Sequence, residues 1–83
     1  MRHYVFWVPE ADEKLQAILA AADEQSGLIR VAREIDFWLA RDPGNFGESR
    51  FDTVRIGAVH PLAVLFDVLD DPPTAIVLDI WQF

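Results

Sequence analysis

The segment that decides the fold reads PLAVLFDV and spans residues 61–68. Its large apolar side chains occupy every second position: Leu62, Val64, Phe66 and Val68. Such alternation predicts a β-strand. Its other face, with Ala63 and Leu65, is nearly as apolar, and strands of that kind lie in the middle of a sheet. We therefore predict that residues 61–68 form the central strand.

Two further segments with period-2 alternation, residues 51–56 and 74–81, are expected to flank the central strand as hairpin partners. Residues 70–73 read DDPP and predict a tight turn before the last strand. Residues 42–49 contain Pro43, Gly44, Asn45 and Gly47 and are expected to form a loop. Residues 3–8 are β-branched and aromatic, so they predict a first strand at the start of the chain.

Two helices are predicted between the first strand and the loop. The first begins at Pro9, and its buried face follows the helical period: Ala11, Leu15, Ile18, Leu19 and Ala22. Ser26 and Gly27 are expected to cap and reverse the chain. The second helix renews the period until Pro43 forces it to end: Leu28, Ala32, Ile35 and Leu39.

These elements predict an α+β fold with two layers and the order β-α-α-β-β-β. A four-stranded antiparallel sheet is packed by an N-terminal helical hairpin, in a single domain over residues 1–83, with strand one beside strand two or strand four. The core is expected to contain one residue set from each layer. The sheet contributes Val54, Ile56, Val64, Phe66, Leu78 and Ile80, and the helices contribute Leu15, Ile18, Ala32, Ile35 and Leu39.

Composition excludes several classes of function. The 83 residues include no cysteine, so disulfides, thiolate catalysis and cysteine metal sites are excluded. We expect no metal and no cofactor. No apolar run approaches the roughly 20 residues of a membrane-spanning helix, and the first eight residues lack the features of a signal peptide. A cytoplasmic protein is therefore expected.

The net charge of −7 is concentrated at the two ends of the chain. Residues 67–83 carry four acids and no base, whereas residues 26–66 carry five of each. Affinity for nucleic acid depends on neutralising phosphates with lysine and arginine. Tight nucleic-acid binding is therefore not expected, and the acids also serve solubility.

The sheet face turned away from the helices is the expected functional surface. It is predicted to gather polar groups and a tryptophan around Ala63: Thr53, Arg55, Asp67, Asp79 and Trp81. This set favours either a partner-binding surface or simple cross-strand neutralisation of Asp67 and Asp79 by Arg55. Trp38, beside the stripe of the second helix, either covers the core edge or contacts a partner.

Candidates for catalysis are few. Arg50, Arg55 and His60 are the weak candidates, because acid-base chemistry requires a positioned partner and none is indicated by spacing. His60 precedes a proline in a turn, and no carboxylate or second histidine is paired with it.

Three groups of residues in the second half of the chain form a recognisable pattern: Ile35, Leu39, Asp42, Pro43 and Gly47; Arg55, Ile56 and Gly57; and Val64, Leu65, Phe66, Asp67 and Val68. With this pattern the chain resembles the RelE/ParE toxin superfamily. In that family a helical hairpin packs on an antiparallel sheet, and the strands read roughly R-[LIV]-G and R-V-[LI]-[YF]-x-V. The resemblance implies a bacterial type II toxin-antitoxin component, whose members cut messenger RNA on the ribosome or poison DNA gyrase.

The chain departs from the family where chemistry would be expected. The family's second arginine falls at Ala63, and the last residues, Trp81 to Phe83, include no base. RNA cleavage needs positive groups at the developing charge and a general base. The resemblance therefore implies a divergent member that binds an antitoxin-like partner and lacks ribonuclease chemistry. An active toxin and a small homodimerising interaction domain are the alternatives.

Overall fold

The computed structural model describes residues 2–83. The elements in chain order are β1 (Tyr4–Trp7), α1 (Pro9–Ala21), α2 (Gln25–Arg41), α3 (Pro43–Phe46), β2 (Glu48–Phe51), β3 (Val54–Val59), β4 (Leu62–Asp70) and β5 (Pro73–Gln82). The sheet has the order β1-β5-β4-β3-β2, with β4 at its centre. The predicted α+β class and the predicted central strand are therefore confirmed.

The core lies between β4 and the α1–α2 hairpin. Leu62, Val64 and Phe66 of β4 are fully buried, as the alternation of residues 61–68 predicts. The helices meet them with the predicted stripe: Ala11 and Leu15 from α1, and Leu28, Ala32, Ile35 and Leu39 from α2. Burial of this apolar surface is the main source of stability.

The sheet has five strands rather than four, and β1 pairs with β5 in parallel. The prediction of an antiparallel sheet throughout is therefore wrong at this edge. The difference arises from β2, an additional strand that begins inside the predicted loop of residues 42–49. One additional strand before β3 reverses the direction of every later strand, so β5 runs the same way as β1.

The segment between α2 and β3 is more ordered than predicted. Residues 43–46 form the short helix α3, and β2 pairs with β3 through a turn at Asp52 and Thr53. Asp52 has a φ of 49°, in the left-handed region that aspartate tolerates better than most residues. The predicted strand over residues 51–56 is therefore interrupted at this turn.

The register of β3 places its side chains on the faces opposite to those predicted. Arg55 lies directly across from Phe66, and Gly57 lies across from Val64. Cross-strand partners share one face, so Arg55 and Gly57 face the helices, while Val54 and Ile56 face away. The Phe46 ring fills the space over Gly57 and stacks on Phe66 at 5.9 Å between centroids.

An irregularity in β5 changes which of its side chains are buried. Phe66 pairs with Val77 and Leu65 pairs with Asp79, so Leu78 is an additional residue in the strand. Such a bulge reverses the alternation. Val77 and Ile80 are buried, whereas Leu78 is 37% exposed, which corrects its prediction as a core residue.

The start of α2 is capped differently from the prediction. The side chain of Glu24, rather than Ser26, is the N-cap group, and it accepts a hydrogen bond of 2.7 Å from the Ser26 backbone N–H. The Ser26 hydroxyl also donates to this carboxylate. These hydrogen bonds, led by the hydroxyl, lower the pKa of Glu24 from its ordinary value.

Candidate functional site

The strand register defines the side of the sheet that faces away from the helices, here called the open face. Its residues form cross-strand rows. The longest row crosses all five strands: Phe6, Ile76, Asp67, Val54 and Phe51. The next row contains Asp79, Leu65, Ile56 and Glu48, and the one beyond it contains Trp81, Ala63 and Ala58.

The open face is largely apolar and partly exposed. Phe6 is 54% exposed and Phe51 is 67% exposed, so both ends of the longest row present aromatic rings to solvent. Tyr4, on the same face of β1, is 70% exposed. Leu65 and Ile56 in the middle are half-buried. An apolar surface that spans a sheet marks a site of interaction with another molecule.

The charges at the borders of the open face are already paired. Lys14 Nζ lies 2.8 Å from Asp79 Oδ1, and Arg50 Nη1 lies 3.8 Å from Glu48 Oε2. Asp67 differs from these two acids, because within residues 2–83 it has no basic group at ion-pair distance. The Thr53 hydroxyl donates a hydrogen bond to Asp67 Oδ1 and so orients the carboxylate.

Arg55 does not share this surface. It lies on the helix side of the sheet, where its Nη2 donates a hydrogen bond of 2.7 Å to the Gly47 carbonyl. Its Nε is buried without a hydrogen-bond partner among the described residues. The prediction that Arg55 lies on the open face is therefore wrong, and with it the alternative in which Arg55 neutralises Asp67 and Asp79. The cause is the register of β3, which differs by one residue from the predicted register.

The other catalytic candidates lie at separate places. Arg50 is on the edge strand β2 and pairs with Glu48. His60 is in the turn between β3 and β4, with its ring edge-on to Phe83 at 5.0 Å between centroids. Along an extended chain, His60 lies about 16 Å from Arg55. The structure therefore separates His60 from Arg55. Arg50 follows Ser49, which pairs with Arg55, but Arg50 lies beside Glu48 whereas Arg55 donates to the Gly47 carbonyl.

The predicted partner-binding residues divide into two groups. Asp67, Asp79 and Trp81 share the open face as expected. Trp38 instead lies near the C-terminal end of α2, where it makes an edge-on contact with Phe37 at 5.4 Å between centroids. It lines a small groove of about 200 Å³ together with Asp42, Asn45 and Phe46.

Sequence reasoning missed the aromatic and aliphatic content of the open face. The prediction that Val54 and Ile56 lie in the core is wrong, because both face away from the helices. Phe51 is predicted on the face opposite the core, with part of strand one alongside, and it does lie on the open face. The sequence of β1 does indicate such a surface, because its residues YVFW are apolar on both faces of the strand. A four-residue edge strand that is apolar on both faces indicates that its second face also meets another surface.

The Lys14–Asp79 pair leads to a prediction about pH. The hydrogen bond from Lys14 lowers the pKa of Asp79 from its ordinary value. We expect Lys14→Met to raise the pKa of Asp79, as followed by NMR titration of its carboxyl carbon. A carboxyl group whose pKa is lowered by folding stabilises the folded state at pH values above the ordinary aspartate pKa. This stabilisation is lost as the pH falls. Both side chains are almost half exposed, so the loss in Lys14→Met should stay below about 1 kcal/mol near neutral pH.

Lys14→Arg is the matched control, because it keeps the charge beside Asp79. An unchanged pKa of Asp79 in Lys14→Met would contradict the assignment of Lys14 as the dominant cause.

Residues 2–83 contain neither a cluster of metal ligands nor a helix suited to span a membrane. Within residues 2–83, no group of three or more histidine and acidic side chains could hold a metal ion. The helices described there are too short or too polar to cross a membrane.

Comparison with known proteins identifies the fold. No protein-family model and no curated protein matches the sequence. Among solved structures, the chain is similar to one in the crystal structure of the toxin-antitoxin complex RelBE2 from Mycobacterium tuberculosis, with a TM-score of 0.81 and 15% sequence identity. The similarity covers 100% of both chains. The fold is therefore RelE/ParE-like, as the sequence resemblance implies.

Proposed function

We propose that this chain is a divergent toxin-family protein that acts by binding an antitoxin-like protein partner and does not cleave RNA. One observation carries the proposal: the RelE/ParE-like sheet presents an apolar open face on which the nearby basic side chains, Lys14 and Arg50, are each paired with an acid. That surface suits a protein segment better than a phosphate backbone.

The positions of Arg55, His60 and Ala63 argue against ribonuclease chemistry. Cleavage next to a 2′-hydroxyl requires a general base and positive groups directed at the developing charge. Arg55 is tied to the Gly47 carbonyl on the helix side, and His60 contacts Phe83 in a distant turn. Ala63, which stands where the family's second arginine is expected, is 4% exposed and adds no charge.

The similarity to a chain of a toxin-antitoxin complex supports a protein partner. An antitoxin-like protein encoded by the adjacent reading frame is the partner we propose, and the cytoplasm is the proposed location. On the open face, Asp67, Asp79 and Trp81 are the proposed contact residues. Arg55, on the helix side of the sheet, is proposed to position the β2–β3 region, and Trp38, on α2, lies outside the proposed contact.

Growth measurements test the absence of toxicity. We expect that expression of the chain alone in a bacterial host leaves growth unchanged, and that the purified chain leaves messenger RNA on ribosomes intact. Strong growth arrest that Arg55→Ala abolishes, while circular dichroism shows that this variant stays folded, would contradict the proposal.

A further inference from the structure

We infer that the open face binds an apolar segment of the partner that directs a lysine or arginine at Asp67. This inference rests on the proposed function and adds the site and the chemistry of the bound segment. The occupant is a cationic amphipathic segment of another protein rather than a second copy of this chain.

The dimensions of the apolar row fit such a segment. Phe6 and Phe51 end a row that crosses five strands, and adjacent strands are about 4.8 Å apart, so the row extends roughly 19 Å. A helix rises about 1.5 Å per residue, so about 13 residues lying along the row would cover it. Phe6 and Phe51 are more than half exposed, which leaves apolar area to bury on binding.

Asp67 determines the chemistry of the partner. It is the charged member of the longest row, with Ile76 and Val54 as its neighbours on the adjoining strands. Asp67 is half-buried, and its carboxylate accepts a hydrogen bond from the Thr53 hydroxyl, so it is oriented before binding. A carboxylate covered by an apolar segment loses its hydration, and a lysine or arginine in that segment would replace the lost water.

Overall charge selects between the two possible occupants. At a net charge of −7, two copies repel each other, and face-to-face pairing would bring two Asp67 carboxylates onto one buried surface. A cationic segment is attracted instead and gives Asp67 a counter-charge. The open face is therefore complementary to a basic partner and not to itself.

Synthetic peptides provide the test. The probe is a helical amphipathic peptide of about 14 leucine and lysine residues, long enough to span the face, and its counterpart replaces lysine with glutamate. Isothermal titration calorimetry on the full chain should show binding of the leucine–lysine peptide and none of the leucine–glutamate peptide. Asp67→Asn should weaken binding about tenfold, the size expected for one charge-assisted contact.

Matched variants separate the open face from other surfaces. Asp71→Asn removes the same charge from the exposed β4–β5 turn and should leave affinity unchanged. Phe6→Ser should weaken binding about tenfold or more through lost apolar burial, whereas Phe37→Ser, half exposed on α2, should not. Circular dichroism establishes that each variant is folded.

Three outcomes would overturn the inference. The first is loss of binding in Phe37→Ser with no effect of Phe6→Ser or Asp67→Asn, which would place the site at the end of α2. The second is a dimer in analytical ultracentrifugation that Phe6→Ser dissociates. The third is equal affinity for both peptides. The first and third outcomes leave the proposed function standing, because they concern only where the partner binds and which charge it carries. The dimer would instead favour the homodimerising alternative to the proposed function. Growth arrest and RNA cleavage, which would contradict the proposed function, are separate measurements.

Discussion

Phe66→Ala is expected to lower the free energy of unfolding by about 3–5 kcal/mol. Phe66 is fully buried in the central strand, and its ring stacks on Phe46 from the helix side. Truncation would leave a cavity between β4 and the helices that the surrounding elements fill only partly. Since small domains have a total stability of about 5–15 kcal/mol, this change consumes a large share of it.

Urea denaturation followed by circular dichroism measures the effect. Phe37→Ala is the matched control, because it removes the same ring from a site that is 51% exposed. The control should lose less than about 1 kcal/mol. A Phe66→Ala variant no less stable than Phe37→Ala would contradict the placement of Phe66 in the core.

Gly47→Ala is expected to lower the free energy of unfolding by about 3 kcal/mol, at the upper end for overpacking. A Cβ at Gly47 would lie 2.3 Å from the Ile56 carbonyl oxygen and 2.7 Å from its carbon. Both are backbone atoms of the paired strand β3 and cannot rotate away. The clash would also move the Gly47 carbonyl that accepts the hydrogen bond from Arg55.

Alanine substitutions at two other glycines serve as comparisons for Gly47→Ala. Gly44 has no atom within 4 Å of an added Cβ, so Gly44→Ala should change stability little. At Gly57 the added Cβ would lie 2.4 Å from the Phe46 ring, a side chain that can move, so Gly57→Ala should fall between the two. Equal stability of Gly47→Ala and Gly44→Ala in urea denaturation would contradict the close approach of Gly47 to β3.

Sequence periodicity predicts the elements that bury one face and misleads where two faces are apolar. The stripe of Leu28, Ala32, Ile35 and Leu39 predicts α2 because it keeps the helical period without interruption, while charged residues such as Arg33 and Glu34 occupy the outer face. In β3 both parities contain apolar residues, and alternation alone assigned Val54 and Ile56 to the core. Their true face depends on Phe46, a distant ring that fills the space over Gly57.

The same limit applies to the candidate site. The alternation in β4 predicts that Asp67 lies on the open face, because its neighbours Phe66 and Val68 are strongly apolar. The bulge at Leu78 cannot be read from the residues, since Ile76, Val77 and Leu78 are all apolar and alternation does not single out one of them. The same one-residue difference in register explains two errors: the prediction of Arg55 on the open face and the prediction of Val54 and Ile56 in the core.

The measurement that tests the central claim most directly is NMR mapping of the partner contact. The ¹⁵N-labelled chain is titrated with the protein encoded by the adjacent reading frame, and amide shifts are followed residue by residue. We expect the largest changes at Phe6, Asp67 and Ile76, together with the Trp81 side-chain N–H. Changes confined to Trp38 and its groove, or no change at any residue, would contradict the claim that the open face binds a protein partner.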